Sequence, residues 1–294
     1  MLTARIGARR GGGGKLAALA LALTLAACLK APSSAAAAAE PLTRSPDGRP
    51  LTMTFSDDFE TFRRWSGGKG VWRTTFRDGK AADEVEIRTL KNNKEVQLYV
   101  EPEFGQLGLD PFRTRNGRLE IRAEPAPPKA MAALHGYRYV SGLISTQPSF
   151  SQTYGYFEMR AKLPRGKGVW PAFWLLPQDL SWPPEIDIME SVGDPSKVYA
   201  TLHSKAEDDM GLEVPVSDPD DFHVFAVSWD PKDVVWYVDG REVKRRPTPA
   251  DMHKPMYMVA NVALGGDWAG YPDASTPFPA TLTIDYIRAY RYAR

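Results

Sequence analysis

From residue 118 onward the chain alternates apolar and polar residues at period two, and this constrains its fold more than anything else in the sequence. Arg118–Ala123, Tyr156–Lys162, His223–Trp229 and Thr281–Tyr290 each gather their apolar side chains on one face, as half-buried strands do. Val234–Val238 runs into Asp239-Gly240, and Arg241–Lys244 returns. That dipeptide accepts the positive φ of a tight hairpin turn. The 24 glycines and 25 prolines punctuate these segments. Short stretches such as Pro249–His253 suggest a helical turn, but no long amphipathic helix is evident. Many short strands with Gly/Pro turns predict an all-β sandwich or jelly roll.

Charge and cysteine content exclude several classes. With 37 Lys+Arg against 36 Asp+Glu, the chain lacks the basic excess of a nucleic-acid binder. One cysteine, Cys28, permits no intrachain disulfide and no zinc site of several thiolates. The 4 histidines show no metal-ligand spacing. The N-terminus reads as an address: Arg5, Arg9, Arg10 and Lys15 precede an apolar run from Leu16 to Ala27. That run is shorter than the about 20 residues a membrane span needs, and it suits a signal peptide. Leu25-Ala26-Ala27-Cys28 resembles a bacterial lipobox, which implies lipid attachment at Cys28. The competing reading is an ordinary signal cleaved in Ala35–Ala39. The expected organisation is a signal peptide at 1–27, a flexible tether at 28–50 rich in Ala, Ser and Pro, and one domain at 51–294. An exported monomer is expected, lipid-anchored at a bacterial membrane facing periplasm or cell surface, or otherwise secreted. It would touch the membrane only through that anchor and bind no nucleic acid.

The most informative segment is Glu185-Ile186-Asp187-Ile188-Met189-Glu190. Alternation puts Glu185 and Asp187 on one face and the isoleucines in the core. Strict alternation would then bury Glu190 in the core, which a carboxylate avoids. A one-residue β-bulge near Met189 returns it to the face of the other acids. Strand geometry then separates Glu185 and Glu190 by ~13 Å along the backbone, close enough for their carboxyl groups to converge toward the ~5–5.5 Å of a retaining glycosidase. Asp187 between them would hold the pKa values of the pair apart. A solvated acidic face is the competing reading. Trp170, Trp174 and Trp182 close by in sequence favour a sugar site, because pyranose C–H faces stack on indoles.

These residues resemble glycoside hydrolase family 16, the laminarinase and lichenase group, whose signature E-x-D-x-x-E matches Glu185–Glu190 in its bulged form. Phe55–Phe59, Ser141–Thr146, Tyr154–Pro164, Trp170–Pro177, Phe222–Trp229, Trp236–Gly240, Asn261–Asp267 and Ile284–Tyr290 are similar to further family motifs and fall in family order. The resemblance implies a concanavalin A-like jelly-roll sandwich with a concave cleft and a retaining double displacement. Glu185 would be the nucleophile, Glu190 the general acid/base and Asp187 the support of Glu185. Trp170, Trp174 and Trp182 would line sugar subsites, and His203 would bond near Glu190 or the substrate. Asn92-Asn93 resembles an asparagine pair at the donor end, with Lys94 interrupting the family spacing. Asp285 would take the ligand position of a structural calcium; no cofactor is otherwise required. The implied activity is an endo-β-glycanase on β-1,3 or mixed β-1,3/1,4-glucan, or on a bacterial exopolysaccharide. A non-catalytic sugar-binding lipoprotein and a transglycosylase are the alternatives. Loops at 101–117, 125–140 and 205–221 are expected to shape the cleft.

Overall fold

The computed structural model describes residues 40–76, 85–206 and 211–293. The signal segment at 1–27, Cys28 and the first part of the tether lie outside them. The described residues form two antiparallel-dominated sheets joined by short turns, with helical structure limited to three-residue 3₁₀ turns. One of these, Ala250–Met252, is the turn expected near Pro249.

The larger sheet has ten strands. Its centre is Gly155–Lys162, flanked by His223–Trp229 and the long strand Ala280–Tyr292. Each stands where alternation predicted it. The hairpin Asp233–Val238 to Arg241–Pro247 closes one edge, and its turn residues Asp239 and Gly240 both take positive φ, 49° and 74°. The smaller sheet has six strands, in the order Leu212–Pro215, Lys197–His203, Glu185–Glu190, Val169–Pro177, Met256–Leu264, Leu143–Ser145.

The two sheets enclose one core. Phe173, Leu175, Ile186, Ile188, Met189, Met258 and Val262 from the smaller sheet meet Phe157, Met159, Phe225, Val227, Trp229, Trp236, Leu282 and Ile287 from the larger. The apolar phase of each strand is therefore spent between the sheets, and the alternate phase of the smaller sheet faces outward. On Val169–Pro177 the outward residues are Trp170, Ala172, Trp174 and Leu176; on Met256–Leu264 they include Tyr257, Asn261 and Ala263.

The segment expected as tether runs to residue 50, and its described part lies against the domain. Residues 40–50 pack on the outer face of the larger sheet. Leu42 donates its N–H to Tyr290 at 3.3 Å. The Arg49 guanidinium bonds Asp230 at 2.6 Å, Ser228 at 2.6 Å and Tyr292 at 2.9 Å. Composition hid this because one arginine, not an apolar stripe, does the anchoring.

Candidate active site

The carboxylate strand is bulged, as the burial argument required. Along its neighbour Val169–Pro177, Phe173 faces Met189 and Trp174 faces Asp187, so Ile188 has no partner of its own. Ile188 and Met189 both enter the core, and Glu185, Asp187 and Glu190 all line the outward cleft of about 850 Å³. Across the sandwich, the Trp236 indole N–H donates to the Asp187 carbonyl at 2.7 Å. The larger sheet thus supplies a partner for a backbone group at the bulge.

Each glutamate carries its own indole donor. Trp182 Nε1 donates to Glu185 Oε2 at 2.8 Å, and Trp170 Nε1 donates to Glu190 Oε1 at 2.9 Å. His203 Nε2 lies 3.1 Å from Asp187 Oδ2. Oxygen and nitrogen atoms of Glu185, Asp187 and His203 fall within 4.8 Å of one another. His203, expected near Glu190 or the substrate, arrives on the adjacent strand opposite Glu185 and meets Asp187.

Burial and mutual repulsion hold protons on this cluster. Burial pushes Glu190 up to about 8, with the Glu185 charge adding to it and hydrogen bonds from Trp170 and Thr201 opposing it. Asp187 rises to about 6 through burial and the Glu190 charge, against the hydrogen bond and charge of His203. Glu185 is raised too, first by burial and then by Asp187, with which it shares a hydrogen bond. Glu185 and Asp187 therefore titrate as one unit. A protonated Glu190 beside a pair that gives up its first proton more readily is an acid–base arrangement.

The three indoles expected near the acids all line the cleft, in different ways. Trp182 is 65% exposed, a free face at the rim. Trp170 is half-buried beside Glu190. Trp174 is only 7% exposed, and its N–H is taken by Asn261 at 2.8 Å, which in turn donates to Tyr99 at 3.0 Å. Asn92 and Asn93 line the cleft as well. Sequence reading passed over Tyr199, Thr201, Tyr257 and Trp268, all of which line it. Tyr199 and Thr201 were within reach, since they stand at even spacing from His203 on one strand. Trp268 packs edge-on against Trp170 at 5.2 Å and Tyr199 at 4.9 Å.

Two expectations are corrected. None of the described residues in 101–117, 125–140 or 205–221 lines the cleft; its walls come from 86–95, 176–182 and 257–268. Sequence composition reports a loop but not the sheet edge it leaves from. Asp285 does not fit a calcium ion. Its Oδ1 accepts from Arg118 at 3.0 Å and its Oδ2 from Arg160 at 2.6 Å, so a cation there would meet two guanidinium groups. Both arginines also stack over Phe222, at 4.5 and 4.8 Å.

Comparison with known proteins gives a consistent result. The family model for glycosyl hydrolases family 16 matches residues 109–288. The chain is 44% identical over 247 residues to endo-1,3-1,4-beta-glycanase ExsH of Rhizobium meliloti, covering 82% of this chain and 52% of that protein. A beta-glucanase of Rhodothermus marinus is 36% identical over 230 residues, 68% of this chain and 75% of that one. The chain therefore spans about half the length of the Rhizobium relative it matches. Among solved structures, the catalytic domain of an endo-1,3-beta-glucanase (laminarinase) from Thermotoga petrophila superposes with a TM-score of 0.69 at 31% identity. It covers 84% of this chain and 100% of that one.

Proposed function

The chain belongs to family 16 of the glycosyl hydrolases, and from that premise we propose that it is a retaining endo-β-glycanase acting on β-1,3 or mixed β-1,3/1,4-glucan. The observation that carries this is the bulged strand, which turns Glu185, Asp187 and Glu190 toward one aromatic-lined cleft. The glucanase activities of the relatives and of the laminarinase fold support the substrate class.

In the first step the Glu185 carboxylate attacks the anomeric carbon while Glu190 gives its proton to the glycosidic oxygen. The glycosidic C–O bond breaks and a glycosyl ester forms on Glu185. Glu190, now ionised, takes a proton from water, whose oxygen attacks the anomeric carbon and releases Glu185. The elevated pKa of Glu190 keeps the acid loaded at neutral pH. Asp187, held against His203, shares a hydrogen bond with Glu185 and supports it at the reacting centre. Trp182 and Trp170 fix the two carboxyl groups through their N–H donors and leave their ring faces for sugar.

The protein acts on a polymer outside the cytoplasm in this reading. The leader and Cys28 support attachment to a bacterial membrane through a lipid, and we propose that the protein acts there as a monomer. Labelling with radioactive palmitate should mark the wild type and leave Cys28→Ser unmarked. For the activity, reducing ends should appear when laminarin or lichenan is mixed with wild type and should not with Glu185→Gln or Glu190→Gln. Binding of these polymers without cleavage by the wild type would overturn the enzyme reading.

A further inference from the structure

Beside the cleft lies a second cavity of about 430 Å³, within the ~300–1,000 Å³ range of small-ligand sites. Glu95 borders both spaces. The wall between them is the segment 265–273, which sends Trp268 into the cleft and Tyr271 and Pro272 into the second cavity. This wall is held rigidly. Gly265 N–H donates to the Gly168 carbonyl at 2.9 Å, and Gly168 N–H donates to the Ala269 carbonyl at 3.1 Å. Lys94 bonds Asp267, and Lys167 bonds Asp273 at 2.7 Å. A Cβ at Gly168 would meet Pro272 N at 2.4 Å, and one at Gly266 would meet the Asn93 carbonyl at 2.7 Å. Only glycine, at φ 74° and 93°, lets the wall seat this closely.

The opposite wall is 135–139. Tyr137 is pinned through its N–H to the Leu134 carbonyl at 2.9 Å, and the Tyr139 ring packs on Phe278 at 5.5 Å. Three tyrosines, 137, 139 and 271, line a space that Glu95 and Arg138 also border. Tyr271 is 46% exposed, a large ring left in water at the mouth. Ring faces with a few fixed polar groups, in a space half the size of the cleft, recognise a sugar by stacking its C–H face and bonding its hydroxyls. Arg138 and the tyrosines border it as hydrogen-bonding residues, and Glu95 braces the wall shared with the cleft, its carboxyl group accepting from Leu90 N–H at 3.1 Å and Gln97 at 2.6 Å.

We propose that this cavity is a second glucan-binding site, taking a neutral pyranose unit on the far side of the 265–273 wall. The identity of the ligand rests on the glucanase reading; the cavity does not. Two sources share this chemistry: a unit of the glycan already in the cleft, or a separate chain.

The test is titration of the full chain carrying Glu185→Gln with laminarihexaose, following heat for stoichiometry and indole fluorescence for occupancy of the cleft. Two hexaoses per protein, with Tyr137→Ala abolishing only the second, support the site and assign it to a separate chain. One hexaose, bound about tenfold more weakly after Tyr137→Ala with the fluorescence change retained, supports the site and assigns it to the same chain. Tyr137→Phe should keep the wild-type pattern in either case, and the retained fluorescence change shows that the variant is folded. Titrations identical with and without Tyr137→Ala overturn the second site while leaving the glucanase reading intact. Absence of any binding to the cleft or beyond it overturns both.

Discussion

The two sheets bury their carboxylates in opposite ways. On the larger sheet the buried acids are met by arginines or by hydrogen-bond donors. Asp285 holds Arg118 and Arg160, and Asp58 holds Arg288 at 2.9 Å. Asp57 accepts from Trp72, Phe59 and Arg63. Even Glu158, pushed up to about 7 by burial, is opposed by the Tyr290 hydroxyl and the Arg288 charge. On the smaller sheet no cation other than the imidazole against Asp187 faces the three acids among the described residues, and the mutual repulsion of Glu185, Asp187 and Glu190 adds to burial. The larger sheet spends its charges on holding the fold. The smaller one keeps protons available at neutral pH, as acid–base chemistry requires.

Breaking each arrangement should therefore have opposite consequences. Glu185→Gln removes the nucleophile and should lower kcat by ~10⁴–10⁶-fold, the scale of losing a covalent nucleophile. Glu190→Gln should lower it by ~10²–10⁴-fold on natural substrate, the scale of a general acid. Asp285→Ala should leave kcat/KM near the wild-type value. It strands two arginines and should cost stability by about 3 kcal/mol in urea unfolding. If Asp285→Ala abolished activity while leaving stability intact, the division of labour between the sheets would be wrong.

A smaller effect is expected where the sheets touch. Trp236→Phe keeps the core filled but removes the donor to the Asp187 carbonyl, costing about 1–3 kcal/mol of stability for the stranded group. Because that carbonyl belongs to the bulge, kcat should fall by roughly tenfold with KM little changed, as the acids lose alignment. A variant with full activity would show that the bulge sets its own geometry.

The pH behaviour sharpens the same contrast. Activity should fall as pH rises through about 8, where Glu190 loses its proton. On the acid side it should fall as the Glu185–Asp187 pair becomes fully protonated. Stability carries the sign of a raised carboxyl pKa: the folded state binds a proton that the unfolded state releases above ~4.3. Stability should thus decline as pH rises from that value to about 8. Glu190→Gln should lessen this decline, leaving the share that belongs to Glu95, Glu158, Asp187 and Glu185, and melt higher than wild type at pH 8, by an amount worth about 1–2 kcal/mol.

Much of this was legible in the sequence. Alternation located six strands of the larger sheet and the carboxylate strand of the smaller one, because a strand buried on one face must write its period into its side chains. The conflict between alternation and the cost of burying Glu190 located the bulge at Ile188-Met189. Other features depend on what lies across a sheet or behind a loop. Trp236 is 49 residues from Asp187 in sequence, and only the sandwich brings its indole to the bulge. His203 joins the acids through strand pairing. The cleft walls at 86–95 and 265–268 are set by which sheet edge each loop leaves, which composition does not report. Arg49 anchors a segment whose composition reads as linker. Asp285 shows the limit from the other side: its place in the last strand was correct, but its two arginines, on Leu119–Pro125's edge and on Gly155–Lys162, are visible only once the strands are paired.

The account depends most on a covalent ester at Glu185 formed and broken with Glu190's help. Proton NMR of the first reducing ends released from a mixed-linkage glucan tests it directly, before mutarotation mixes the anomers. Two displacements at one carbon predict the β-anomer as the initial product. An initial α-anomer would mean a single displacement by water, and would contradict the roles given to both glutamates.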